Sequence, residues 1–231
     1  MHSISFGDDK LPGYEVGSQT GPAIIVLQEW WGVTEAVKQQ AVMLSEATGF
    51  RTLIPDLYKG KLGVDAEEAG HLMGNLDWMN AIREMSQAVA YLRASGASKV
   101  GVVGFCMGGA LSYTAAQHCG VDAAVPFYGT PQAQLCQVEK IAVPVQAHFG
   151  RKDTHTGFSD VATAQAVTDS MKAAGCNVEL CIYEEGGHGF FNSLVPGGTS
   201  LLTATSQPMA LDDAKLALSR TVEFFKKHLS A

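Results

Sequence analysis

Short apolar runs alternate along this chain with longer stretches in which apolar side chains recur every three or four residues. Ala23–Leu27 (AIIVL) is continuous and rich in β-branched residues, as expected of a strand buried on both faces. In Thr34–Thr48, Val37, Ala41, Leu44 and Thr48 keep a helical spacing, and Thr34 is placed to cap the helix start. Phe50–Ile54 predicts the next strand, stopped by Pro55. Asp65 to about Arg93 reads as mostly helical, with a break near Gly74-Asn75. Lys99–Phe105 predicts a strand, Cys106–His118 a helix of small residues, and Asp122–Tyr128 a strand followed by a loop to Cys136. Val143–Phe149 and Val178–Tyr183 predict strands, separated by a helix over Phe158–Ala174, and Leu211–His228 predicts a closing helix. No element is predicted before Ala23. Gly186–Pro208, rich in Gly, Ser, Thr and Pro, carries no pattern, and loops that long are usually functional or mobile.

Strands alternating with helices predict an α/β fold with a mostly parallel central sheet and helices on both faces. Ligand sites in such sheets lie beyond the C-terminal ends of the strands, so a candidate residue should follow a strand. The 231 residues fit one domain spanning 1–231. At 46% hydrophobic and 17% charged, the chain can build a core without disulfides or a metal. The net charge of −7, from 16 Lys plus Arg against 23 Asp plus Glu, speaks against nucleic-acid or anionic-membrane partners. The 5 cysteines are odd in number and form no Cys-x-x-Cys pair, which predicts free thiols in a reducing compartment. The polar start MHSISFGDDKLPG is unlike a signal peptide, and no apolar run reaches the ~20 residues of a membrane span, so a cytoplasmic location is expected.

The chemistry concentrates in Gly104-Phe105-Cys106-Met107-Gly108-Gly109, which follows a predicted strand and opens a predicted helix. This is a G-x-nucleophile-x-G elbow with cysteine as the nucleophile. Small residues on either side permit a tight turn, and the helix N-terminus offers free N–H groups for an oxyanion and a dipole that favours thiolate. A free thiol is only a few per cent ionised at neutral pH, so it needs a base. His188, in a Gly-rich loop after the last strand, is the candidate; His155 also follows a strand and is its rival, with chain order favouring His188. Asp153, after Val143–Phe149, would orient the base and completes the order nucleophile, Asp, His. Glu29 directly follows the first predicted strand, beside Trp30 and Trp31; from spacing alone it reads as a loop salt bridge.

Taken together, Gln28-Glu29-Trp30-Trp31-Gly32, Pro55-Asp56-Leu57-Tyr58, the Cys106 elbow, Phe127-Tyr128-Gly129, Gly150–Asp153 and His188-Gly189-Phe190 resemble the dienelactone hydrolases (carboxymethylenebutenolidases) of the α/β-hydrolase superfamily. The resemblance covers nearly the whole chain, in order. It implies a Cys106–His188–Asp153 triad, a Glu29 that interacts with the Cys106 thiol and helps deprotonate it when substrate binds, and an oxyanion hole from the backbone N–H groups of Trp30 and Met107. Members that hydrolyse dienelactone hold its carboxylate with two arginines, one after the Pro-Asp-Leu-Tyr turn and one four residues past the catalytic histidine. Here Leu62–Ile82 has no Lys or Arg and Asn192 takes the second position, so an altered specificity is expected.

The expected activity is therefore a cysteine hydrolase of carboxylic esters or lactones, acting through a thioester on a small molecule without metal or cofactor. Trp30, Trp31, Trp78, Tyr128, Phe190, Phe191 and Asn192 are the candidate pocket residues. A binding or redox-sensing protein on the same fold, or an acyltransferase, are the rival readings.

Overall fold

The run Ala23–Leu27 divides its side chains strictly by parity. Ala23, Ile25 and Leu27 enter one hydrophobic core, and Ile24 and Val26 enter a second on the opposite side of the sheet. A strand buried on both faces requires a helical layer on each, and the computed structural model, which describes residues 1–230, has both. The strands are β1 (His2–Phe6), β2 (Leu11–Val16), β3 (Gly21–Leu27), β4 (Arg51–Pro55), β5 (Ala97–Phe105), β6 (Ala123–Phe127), β7 (Val145–Gly150) and β8 (Val178–Tyr183). They form one sheet in the order β1-β2-β4-β3-β5-β6-β7-β8. From β4 to β8 every neighbouring pair is parallel, whereas β1 and β2 are antiparallel additions at one edge.

Helices α1 (Glu35–Thr48), α2 (Ala66–Gly74), α3 (Trp78–Ala94), α4 (Met107–His118), α5 (Val161–Ala173), α6 (Pro196–Ala204) and α7 (Leu211–Leu229) complete the fold. Helices α3, α4 and α5 cover one face, and α1 and α7 the other. Local chemistry sets several boundaries. Asp65, Asp77 and Asp160 cap α2, α3 and α5 by accepting from Glu68, Asn80 and Thr163 N–H groups at 2.9, 3.0 and 3.1 Å. Gly49, at φ 77°, ends α1 in the left-handed conformation. Thr34 occupies the N-cap position of α1, but its side chain makes no capping hydrogen bond. Among the described residues, no helix is long and apolar enough to cross a membrane.

Two regions differ from the sequence expectation. The β1–β2 hairpin was not predicted because the inward positions of β2 are Leu11, Gly13 and Glu15, which break the apolar alternation. Buried Glu15 is neutralised by buried Arg51 on β4, a pairing that only the assembled sheet supplies. The region 186–208, without pattern in sequence, holds a 3₁₀ turn over Phe190–Leu194 and then α6. Pro196 stands at the start of α6, where the absent N–H costs nothing.

His148 on β7 shows how polar residues enter the core. Its ring stacks on Phe127 at a centroid separation of 4.4 Å, with Nδ1 2.8 Å from Tyr183 OH and Nε2 3.1 Å from Gln146 Oε1. Burial, with a smaller push from Arg220, lowers its pKa to about 3. The unfolded chain protonates this histidine near pH 6.5. Its contribution to stability is therefore complete above that pH and is lost as pH falls toward 3. Urea unfolding at pH 7 and pH 4.5 should show a smaller acid loss for His148→Gln than for the parent, by as much as ~2 kcal/mol. Equal acid losses in the two proteins would contradict a buried neutral ring.

Candidate active site

The path from β5 into α4 is a sharp turn. Cys106 sits between them at φ 55°, ψ −113°, a conformation that L-residues rarely adopt. The turn closes so tightly that a Cβ on Gly104 would lie 2.1 Å from the Gly108 carbonyl oxygen, and a Cβ on Gly108 would lie 2.5 Å from that of Leu27. Hydrogen bonds from Cys106 N–H to Phe127 O (3.1 Å) and from Ala110 N–H to Cys106 O (3.2 Å) hold the strained residue in place. Met107 opens α4, where N–H groups lack partners within the helix, and the Trp30 N–H enters no backbone–backbone hydrogen bond. Both expected oxyanion-hole residues border the cavity over Cys106.

The loops after β7 and β8 bring the other expected residues to this turn. His188 Nε2 lies 3.2 Å from Cys106 Sγ, and His188 Nδ1 lies 2.7 Å from Asp153 Oδ2. The two loops are tied together by Lys152 N–H to Gly186 O (2.8 Å), and Gln207 Oε1 accepts the His188 N–H at 3.1 Å. Asp153 is buried; burial opposes its charge, but hydrogen bonds from His188 and His155 outweigh it and hold the carboxyl below its usual range. Burial likewise opposes charge on His188, yet the Cys106 sulfur and Asp153 hold this imidazole well above its ordinary pKa. The rival histidine is part of the same cluster, because His155 Nδ1 lies 2.8 Å from Asp153 Oδ1. Ser159, missed in sequence, places its hydroxyl 3.2 Å from His188 Nδ1.

Glu29 follows β3 at the same end of the sheet, but its expected contact with the thiol is absent among the described residues. Its carboxylate accepts instead from Asn192 Nδ2 at 3.0 Å and Tyr128 OH at 3.5 Å. Asn192 is oriented by Gln40 of α1, whose Nε2 donates to Asn192 Oδ1 at 2.9 Å. Burial pushes the Glu29 carboxyl up, against weaker opposing effects from His188, Asn192 and Tyr128. The His188 charge offsets that burial only in part, so this carboxylate is easier to protonate than Asp153.

A cavity of about 420 Å³ opens over Cys106. Trp30, Trp31, Trp78 and Asn192 border it as expected, together with Met73, Leu111, Leu135, Phe158, Leu201 and Leu202, which the sequence did not single out. Leu201 and Leu202 were missed because α6 was. Tyr128, Phe190 and Phe191 do not line it. The φ 74° turn at Gly189 sends Phe190 and Phe191 into the second core, where Phe191 stacks on Phe105 at 5.1 Å, and Tyr128 lies fully buried with its hydroxyl toward Glu29. Among the described residues, no lysine or arginine lines the cavity; Glu29, His155 and His188 are its ionisable walls besides the thiol.

The family model for the dienelactone hydrolase family matches residues 11–229. The chain belongs to the dienelactone hydrolase family. It is 31% identical over 220 residues to the protein usf of Aquifex pyrophilus, covering 91% of this chain and 90% of that one. It is 30% identical over 227 residues to a carboxymethylenebutenolidase of Pseudomonas putida, covering 91% and 93%. A solved dienelactone hydrolase-like promiscuous phosphotriesterase from metagenomic libraries superposes with a TM-score of 0.78 at 20% identity, covering 98% of this chain and 97% of that one; at this identity it establishes the fold alone. The fold is that of the α/β-hydrolases, and membership of the family makes the chain a hydrolase of ester or lactone bonds.

The close approach at the turn predicts a sharp intolerance in this dienelactone hydrolase family member. Gly104→Ala forces backbone apart at 2.1 Å, so it should destabilise the fold by roughly 1–3 kcal/mol or more and displace Cys106. Urea unfolding together with iodoacetamide labelling of Cys106 reads both effects. A variant with parental stability and parental labelling would mean that the turn relaxes freely.

Proposed function

We propose that the chain is a cysteine hydrolase that cleaves uncharged carboxylic esters or lactones through a thioester on Cys106. The observation that carries this reading is the unbroken relay from Asp153 through His188 to Cys106, at 2.7 and 3.2 Å, beside a cavity with no lysine or arginine. Cys106 Sγ attacks the carbonyl carbon as its proton passes to His188 Nε2. The N–H groups of Trp30 and Met107 hold the oxyanion, and collapse of the tetrahedral species transfers that proton to the leaving oxygen. Water then attacks the thioester, giving one proton to His188, and expulsion of the sulfur returns the thiol and releases the acid. Asp153 keeps the proton on His188 Nδ1 and stabilises the imidazolium. Glu29 sits beside this relay as a buried carboxyl with a raised pKa, held by Asn192 and Tyr128.

The cavity chemistry selects against anionic substrates. Glu29 is the acidic residue on the cavity wall, Asp153 lies behind His188, and much of the remaining lining is apolar. A substrate carboxylate would lose its water without gaining a fixed cation, which disfavours binding.

Turnover of a neutral p-nitrophenyl ester tests the reading. Cys106→Ala should abolish it while urea unfolding stays near that of the parent, because a sulfur at the cavity floor fills little core. An active, folded Cys106→Ala protein would remove the nucleophile assignment. Asp153→Asn should lower kcat by roughly 10²–10⁴-fold with a smaller change in KM.

Substrate charge gives a separate prediction. A neutral ester should exceed cis-dienelactone in kcat/KM by ~10²-fold or more at low salt, given ~1.5–3 kcal/mol for each absent charged hydrogen-bonding partner. Faster turnover of the anionic lactone would show that a cation reaches the cavity during binding.

A further inference from the structure

Asp153 carries two imidazoles rather than one. Oδ2 takes His188 Nδ1 at 2.7 Å, whereas Oδ1 takes His155 Nδ1 at 2.8 Å and the His155 backbone N–H at 3.1 Å. An ionised carboxylate can only accept, so both Nδ1 atoms carry protons, and each ring in its neutral form leaves Nε2 as a lone pair. His188 directs its lone pair at the thiol. His155 Nε2 has no hydrogen-bond partner among the described residues, although its ring lines the reaction cavity, is half exposed and lies 4.4 Å from the His188 ring, centroid to centroid. The ring is held on a fixed base: the His155 carbonyl accepts from the N–H groups of Phe158, Ser159 and Asp160 at 3.1, 3.0 and 3.3 Å. His155, anchored through Asp153, thus stands beside His188 at the cavity wall.

We propose that His155 is a catalytic residue of the second half-reaction, in which its Nε2 holds the water that hydrolyses the Cys106 thioester. This rests on the thioester reading above. The water needs two acceptors to be aimed. One O–H gives its proton to His188 Nε2 as the oxygen attacks the thioester carbonyl, and the other O–H donates to His155 Nε2 and stays intact. Collapse breaks the C–S bond, the sulfur recovers the proton from His188, and the acid leaves with the second O–H. His155 therefore gains and loses no proton. In acylation the nucleophile is the thiol, already in contact with His188, and the His155 lone pair has no corresponding partner. Its contribution should fall on deacylation.

p-Nitrophenyl trimethylacetate separates the two steps, because its hindered acyl group slows deacylation enough to follow both. The p-nitrophenolate burst gives the acylation rate. Decay of the acyl adduct on Cys106, measured by intact mass after acid quench, gives deacylation. His155→Asn keeps an amide donor near the Nδ1 position and removes the Nε2 acceptor, whereas His155→Phe removes both. In His155→Asn, deacylation should fall at least ~10-fold more than acylation, within the range of positioned proton-acceptor effects. In His155→Phe both steps should slow, with deacylation again the more affected. An equal slowing of the two steps in both variants would reduce His155 to a support for Asp153, and unchanged deacylation in His155→Asn would overturn the proposal. If the parent protein never forms an adduct on Cys106 and Cys106→Ala still turns over, the thioester reading itself has failed, a result distinct from either.

Discussion

The backbone at Cys106 is the constraint on which the site depends. Strand β5 lies inside the sheet, flanked by β3 and β6, and the chain must reverse from it into α4 with almost no space. The φ 55° conformation lifts the thiol out of the strand, and glycines at 104 and 108 let helix and sheet approach at carbonyl distance. With the turn fixed there, the neighbouring strand ends aim at one point: Glu29 arrives from β3, Tyr128 from β6, Asp153 from β7 and His188 from β8. A parallel sheet brings these ends together because all of its strands finish on the same side.

Two buried carboxylates at this point behave differently because their donors differ. Asp153 receives three hydrogen bonds, two of them from imidazoles that can carry positive charge, and stays ionised. Glu29 receives only the amide of Asn192 and the phenol of Tyr128, and burial pushes it toward the neutral acid. Asp153 thus stays charged behind the His188 ring, and Glu29 is the more readily neutralised carboxyl. The Gln40–Asn192–Glu29 chain fixes that second carboxyl from α1, on the far side of the loop that carries His188.

Part of the cavity wall comes from elements at the periphery of the central sheet. Met73 lies on α2, a helix with Ala69 as its one buried residue, Trp78 starts α3, and Leu201 and Leu202 lie on α6. The polar groups around Cys106 thus come from strand ends, and much of the apolar cavity wall comes from helices.

Much of this architecture was legible in the sequence because its signals are local. Buried parallel strands read as β-branched runs, and Val178–Tyr183 has the observed limits of β8. The strand–Gly-x-Cys-x-Gly–helix order identified the elbow, strand-end positions picked out Asp153 and His188, and Glu29 came from the family resemblance. What was not legible depends on partners distant in sequence. Strand β2 hides its pattern behind Gly13 and Glu15, and Glu15 becomes an acceptable inward residue only when Arg51 pairs with it across the sheet. Phe190 and Phe191 closely follow His188 in sequence and invite a pocket reading, yet one left-handed glycine turns both rings into the core. Spacing alone reads Glu29 as a loop salt bridge and the family resemblance places it at the thiol, whereas tertiary packing gives it to Asn192, which is held by Gln40 more than 150 positions away from Asn192 along the chain. His155 and His188 competed for one role in sequence, whereas the two oxygens of Asp153 hold both rings at once. Residue type and spacing determine which groups can do chemistry; only the folded chain decides which donor each acceptor receives, because hydrogen-bond partners are set by distance in space.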